Sequence, residues 1–97
     1  MITRYLISYD VADIDRLRKV HKVVKARAVR VQDSVYEALL TEKELVVLED
    51  RLRKVMNLHE DQVMFIDLGP GSRAEITEVS VMGLAWEPYK RTGSIVM

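Results

Sequence analysis

Two groups of residues in this chain have the types and spacing to do chemistry. Asp10 ends the string Leu6-Ile7-Ser8-Tyr9-Asp10. A carboxylate at the end of a buried strand is fixed by its scaffold, which suits it to hold a divalent cation. Mg²⁺ keeps several waters and needs one or two protein carboxylates. One Asp10 per chain is therefore a thin site, and two meeting across a dimer axis make a fuller one. The plainer reading is that Asp10 caps the turn or helix that follows. The second group is basic: Arg16, Arg18, Lys19, Lys22, Lys25, Arg27 and Arg30 are seven cations within fifteen residues, with no acid among them. Such a face binds phosphates with salt-dependent affinity through counterion release. No base-reading pattern accompanies it, so backbone recognition is expected rather than sequence specificity. Its plain alternative is a solvated helix face.

Other candidates are weaker. His21 and His59 are isolated, form no ligand pair at helical spacing and read as structural. Gly69-Pro70-Gly71-Ser72-Arg73 offers glycines beside a cation but lacks Walker spacing, and reads as a turn. Ser8 and Ser34 have no partner that marks a nucleophile. Trp86, Tyr89, Lys90 and Arg91 have the chemistry to stack on bases, and equally to anchor a C-terminal segment by packing.

The elements that must position these residues follow from periodicity. Met1 to Tyr9 reads as a strand apolar on both faces, with Ile2 and Leu6 on one parity and Tyr5, Ile7 and Tyr9 on the other, so it expects cover on both sides. Asp10 and Asp13 punctuate the turn that follows, and either can start a helix. From Ile14 to about Ala26, Ile14, Leu17, Val20, Val23 and Val24 form one stripe, with Arg18, Lys19, Lys22 and Lys25 opposite. Val29 to Leu40 returns to strand composition and reverses near Gln32-Asp33-Ser34, without the glycine usual in a hairpin. Thr41-Glu42-Lys43-Glu44 fits a capping box before a second helix, whose stripe is Leu45, Leu48, Leu52, Val55 and Met56. Val46 and Val47 fall off that stripe and predict a second buried contact. Val63 to Leu68 is another two-faced strand, and Ala74 to Met82 has the composition of a short one.

The order strand, helix, strand, strand, helix, strand predicts an α+β, ferredoxin-like βαββαβ fold with an antiparallel sheet. It forms a single domain over residues 1–97, with a core of about 1–68 and a C-terminal strand or tail of about 69–97 that serves the dimer or a partner. Both helices of that fold cover one sheet face, which predicts a homodimer packed through the other. The apolar end Ile95-Val96-Met97 is expected to dock on a sheet edge.

Composition narrows the function classes. The 97 residues carry 15 Lys plus Arg and 15 Asp plus Glu, for a formal net charge of zero, which argues against a uniformly basic nucleic-acid binder. The charge is polarised instead, with cations between Arg16 and Arg30 and acids concentrated between Asp33 and Asp61. There is no cysteine, hence no disulfide framework, thiolate zinc site or cysteine nucleophile. No apolar run reaches membrane-spanning length and no signal-peptide pattern opens the chain, so a cytoplasmic location is expected.

Three stretches together carry a family resemblance. Tyr5-Leu6-Ile7-Ser8-Tyr9-Asp10 resembles the "YDI" or "YDV" first strand of the small CRISPR-associated Cas-two family. Arg16-Leu17-Arg18-Lys19-Val20-His21-Lys22-Val23 resembles its basic first helix, and Arg30-Val31-Gln32-Asp33-Ser34-Val35-Tyr36-Glu37 is similar to its "RVQxSVFE" signature. Asp61-Gln62-Val63 and the terminal Ile95-Val96 match later family features. The resemblance implies a ferredoxin-like homodimer in CRISPR adaptation, the acquisition of spacers, bridging dimers of the Cas-one integrase and holding DNA. It also implies a metal-dependent endonuclease or endoribonuclease acting on RNA or DNA. The resemblance makes Asp10 the Mg²⁺ ligand; the enzymatic reading built on it takes Asp10 and Tyr9 as the catalytic residues, with Tyr9 shaping the site and Arg16, Arg18 and Arg30 positioning phosphate. A toxin-type ribonuclease or a regulatory ferredoxin-like domain without a CRISPR link is the alternative that the fold alone leaves open.

Overall fold

A computed structural model describes residues 2–70 and 78–83. The sequence features at Trp86, Tyr89, Lys90, Arg91 and Ile95-Val96-Met97, and the Gly71-Ser72-Arg73 half of the glycine-proline turn, lie outside the described residues.

The chain runs β1 (Ile2–Asp10), α1 (Ile14–Lys25), β2 (Val29–Gln32), β3 (Val35–Thr41), α2 (Glu42–Val55), β4 (Gln62–Pro70) and β5 (Glu78–Gly83). The five strands form one sheet in the order β2-β3-β1-β4-β5, with every neighbouring pair antiparallel. Its first four strands are the expected ferredoxin-like arrangement, and β5 extends it at the β4 edge. The two-faced strand β1 sits at the centre, as its composition demands.

One face of the sheet carries both helices. Ile7 and Tyr9 of β1, Tyr36, Ala38 and Leu40 of β3, and Val63 and Phe65 of β4 are buried there against Val20, Val24, Leu48 and Leu52. The register brings Ile7 opposite both Tyr36 and Phe65, so the core is built on three adjacent strands.

Local chemistry sets the helix starts. The Asp13 carboxylate accepts the Arg16 amide at 3.0 Å and caps α1. At α2 the Thr41 hydroxyl accepts the Glu44 amide at 3.1 Å while the Glu44 carboxylate accepts the Thr41 amide at 2.8 Å, the expected capping box. The Thr41 amide, and then Arg27, hold the Glu44 carboxyl below its usual range.

Two expectations meet a different outcome. The hairpin between β2 and β3 turns without glycine because Ser34 itself takes the left-handed conformation, at φ 60°, and its carbonyl accepts the Tyr9 amide at 3.3 Å. Val46 and Val47, expected to make a second buried contact, are instead 57% and 47% exposed on the outer side of α2. They fall off the stripe because the core needs only Leu45, Leu48, Leu52 and their neighbours to seat the helix.

The opposite sheet face bears no helix among the described residues. Leu6, Val35, Met64 and Ile66 are half-buried there and Leu39 is 60% exposed, around an ion pair in which the Arg4 Nε donates to Glu37 at 2.7 Å.

Candidate metal and nucleic-acid site

Asp10 is the last residue of β1, paired in register with Gln62 of β4, and its side chain is exposed. It does not cap α1, since Asp13 does. Tyr9, its neighbour in sequence, goes the other way. Successive strand residues point to opposite faces, and Tyr9 is buried on the helix side, its hydroxyl 2.9 Å from His21 Nδ1. The Tyr36 hydroxyl reaches the same nitrogen at 3.0 Å, and the two tyrosine rings stack with centroids 5.9 Å apart. Burial, reinforced by Tyr36, pushes the Tyr9 phenol well above its ordinary value and keeps it neutral. Tyr9 therefore joins His21 and Tyr36 and not Asp10, and the isolated His21 is the shared partner of two buried phenols, as a structural histidine should be. These three residues, with Leu17, Arg18 and Arg30, line an open cleft of about 420 Å³.

The seven cations divide by how they are used. Arg16 is turned onto acids: its Nε donates to Asp61 at 2.8 Å and its Nη2 to Glu60 at 2.8 Å. These bonds raise its pKa and commit the guanidinium to the fold. Arg27 pairs with Glu44 and Arg30 with Asp33. Arg18, 76% exposed, has only Asp15 at 3.8 Å. Lys19, Lys22 and Lys25 are exposed, and none makes an ion pair among the described residues. Spaced three apart, they follow one side of α1. The uncommitted positive charge is this lysine row with Arg18 beside it.

The sequence singles out Asp61 only as the first residue of a family-like Asp61-Gln62-Val63 stretch and gives it no role. The residue is fully buried. Its carboxylate accepts Arg16 Nε at 2.8 Å and Nη2 at 3.3 Å, the Ala12 amide at 3.0 Å and the Asn57 amide at 2.8 Å. Burial opposes its ionisation, but Arg16 and the two amides outweigh that and hold the carboxyl below its ordinary value. An acid just before a strand as apolar as Val63 to Leu68 was the available signal, because such a position is buried and needs a cation.

Among the described residues no group of three or more His, Cys, Asp or Glu is gathered for a metal. The donor chemistry at Asp10 fits a hydrated hard cation rather than a closed cage: a single exposed carboxylate on a rigid strand end.

Fold and site together define a ferredoxin-like α+β protein whose central strand ends in an exposed carboxylate, beside a helix with a free cationic row. Residues 1–76 match the family model described as CRISPR associated protein Cas2. A CRISPR-associated endoribonuclease Cas2 of Synechocystis sp. is 34% identical over 95 residues, covering 96% of this chain and 97% of that protein. Two solved structures are similar: one described as cas2, with TM-score 0.69 and 28% identity over 90% of this chain and 97% of the other, and Streptococcus pyogenes Cas2, with TM-score 0.65 and 29% identity over 79% and 99%. The chain belongs to the Cas2 family of CRISPR-associated proteins. Membership sets aside the toxin-type and regulatory alternatives. No helix among the described residues is long and apolar enough to cross a membrane.

Proposed function

We propose that this chain is a CRISPR-adaptation protein that works as a dimeric scaffold, holding DNA on its α1 faces while its C-terminal segment, about 69–97, engages the Cas-one integrase. The observation that carries this reading is the exposed row Lys19, Lys22 and Lys25, unpaired among the described residues while Arg16, Arg27 and Arg30 are engaged by acids. Three lysines at one-turn spacing suit successive phosphates and carry no base-reading geometry. The apolar sheet face around Leu6, Leu39 and Ile66, which bears no helix among the described residues, supports pairing with a second copy, which doubles the cationic rows. Lys19→Glu with Lys22→Glu should cut duplex affinity at least tenfold in a fluorescence-anisotropy titration; unchanged affinity overturns the reading.

A second function, Mg²⁺-dependent phosphodiester hydrolysis in the cytoplasm, is supported by Asp10 and by the endoribonuclease name of the relative in Synechocystis. Asp10 sits exposed at a rigid strand end with the capping role taken by Asp13. Mg²⁺ held there would activate a water and steady charge on the phosphate. Two Asp10 carboxylates brought together across a dimer repel each other, which favours a cation between them. In this reading Arg18 and Arg30, which line the cleft beside Tyr9, hold substrate phosphate, and Arg16, bonded to Asp61, orders the loop after Asp10. The nucleic acid is RNA or DNA. Cleavage of labelled single-stranded RNA and duplex DNA should vanish in Asp10→Ala and in EDTA; persistent cleavage by purified Asp10→Ala removes this function.

A further inference from the structure

The buried carboxylate of Asp61 has no role in the function described so far, yet it has the densest set of bonds in the described chain. It ties three pieces of backbone together. One oxygen accepts the amide of Ala12, two residues beyond Asp10. The other accepts the amide of Asn57 in the connection from α2 to β4, and Arg16, in the first turn of α1, spans both oxygens. Asp61 also adjoins Gln62, the register partner of Asp10 on β4. Its own backbone is clamped from behind: the Asp61 amide donates to the Asn57 carbonyl at 2.8 Å, and Gly83 at the end of β5 lies so close that a Cβ there would sit 1.8 Å from the Asp61 carbonyl oxygen.

Asp10 is followed by Val11 and Ala12, which lie between the end of β1 and the Asp13 cap of α1. A strand end without a following anchor frays, and a carboxylate on it loses the fixed position that makes one ligand worth having. The Ala12 amide bond to Asp61 is the tether on that exit, and the Arg16 guanidinium supplies the charge that lets Asp61 stay ionised while buried. We propose that Asp61, with Arg16 as its counter-ion, is the positioning pair that holds Asp10 for a divalent cation. The inference rests on Asp10 being the cation ligand. It gives Arg16 a function that does not involve touching nucleic acid.

The test uses the full chain and Mn²⁺ as the probe, with affinity measured by titration calorimetry well below the melting temperature of each variant. Four variants are compared: Asp10→Asn, Asp61→Asn, Arg16→Gln, and Leu45→Ala, a half-buried core truncation near the start of α2, at the other end of that helix from Asn57. Groups that orient a metal ligand usually affect affinity tenfold or more. Asp61→Asn and Arg16→Gln should each weaken Mn²⁺ binding about tenfold, and amide exchange at Val11 and Ala12 should quicken in both. Leu45→Ala should melt earlier and bind Mn²⁺ as the wild type does. Arg16→Gln carries the test if Asp61→Asn fails to fold. Loss of Mn²⁺ binding in Asp10→Asn, with wild-type affinity in the folded positioning variants, overturns the positioning role and leaves Asp10 as ligand. An equal loss in Leu45→Ala overturns it too, because the effect is then general destabilisation. Wild-type affinity in Asp10→Asn instead overturns the ligand reading on which the proposal stands.

Discussion

Tyr9 and Asp10 are adjacent in the chain and stand on opposite faces of the sheet. Tyr9 is buried under α1 with its hydroxyl 2.9 Å from His21 Nδ1, and Asp10 is exposed at the end of the strand. A single motif thus supplies two separate things, a core anchor and a candidate cation ligand. The two side chains should respond differently to mutation.

Tyr9→Phe keeps the ring stacked on Tyr36 and removes the hydroxyl's hydrogen bond to His21. It should cost about 1 kcal/mol, read as a drop of several degrees in the melting temperature. Mg²⁺-dependent cleavage by the folded variant should stay at the wild-type level. A loss of cleavage as complete as that of Asp10→Ala would place Tyr9 in the chemistry after all.

The Asp61 carboxyl is held below its ordinary value of 3.8 in the folded chain. Between pH 3.8 and the depressed native pKa, the unfolded state binds the proton and the folded state does not, so stability falls as pH falls. The contribution is fully present above about pH 5 and drains away through the acid range. Asp61→Asn, which cannot ionise, should be less stable than wild type at pH 7 and lose less on going to pH 3. Urea melts at the two pH values measure this, and parallel losses in both proteins would contradict it.

Leu39 stands 60% exposed on the helix-free face. Leu39→Glu removes apolar area from any partner and places two like charges near a symmetric interface. Sedimentation at micromolar concentration should show the wild type as a dimer and Leu39→Glu as largely monomer, with an unchanged far-UV circular dichroism spectrum. A wild-type monomer would remove the sheet-face dimer.

The capping box gives a local test. Thr41→Ala deletes the acceptor for the Glu44 amide, at a cost of about 1 kcal/mol. Thermal melts should show the loss, and DNA affinity should not change because α2 carries none of the free lysine row.

How much of this was legible in the sequence depended on range. The strand β1, the helix stripes and the Thr41–Glu44 box could be read because their signals lie within a few residues, and the order of elements then gave the ferredoxin-like sheet. The hairpin was harder, since Ser34 takes a conformation that its type does not advertise. The basic segment was read as one face, yet the fold splits it: Arg16 and Arg27 meet acids distant in sequence, which only the tertiary structure chooses, and Arg30 meets Asp33 across the β2–β3 turn. Arg16 and Asp61 are 45 residues apart, and no periodicity links them. Asp10 stands out in the sequence by its strand-end position, whereas the Arg16–Asp61 pair that ties down the Ala12 amide after it is long-range.

The central claim is that the chain binds nucleic acid through phosphate contacts from the free lysine row of α1. Its most direct test is the salt dependence of duplex-DNA affinity for the wild type and for Lys19→Ala, Lys22→Ala, Lys25→Ala combined. Each lysine engaged on a phosphate adds about 0.9 to the slope of log affinity against log salt concentration. The account predicts weaker binding and a slope shallower by about 2–3 in the triple variant. Equal slopes and affinities in the two proteins would contradict it.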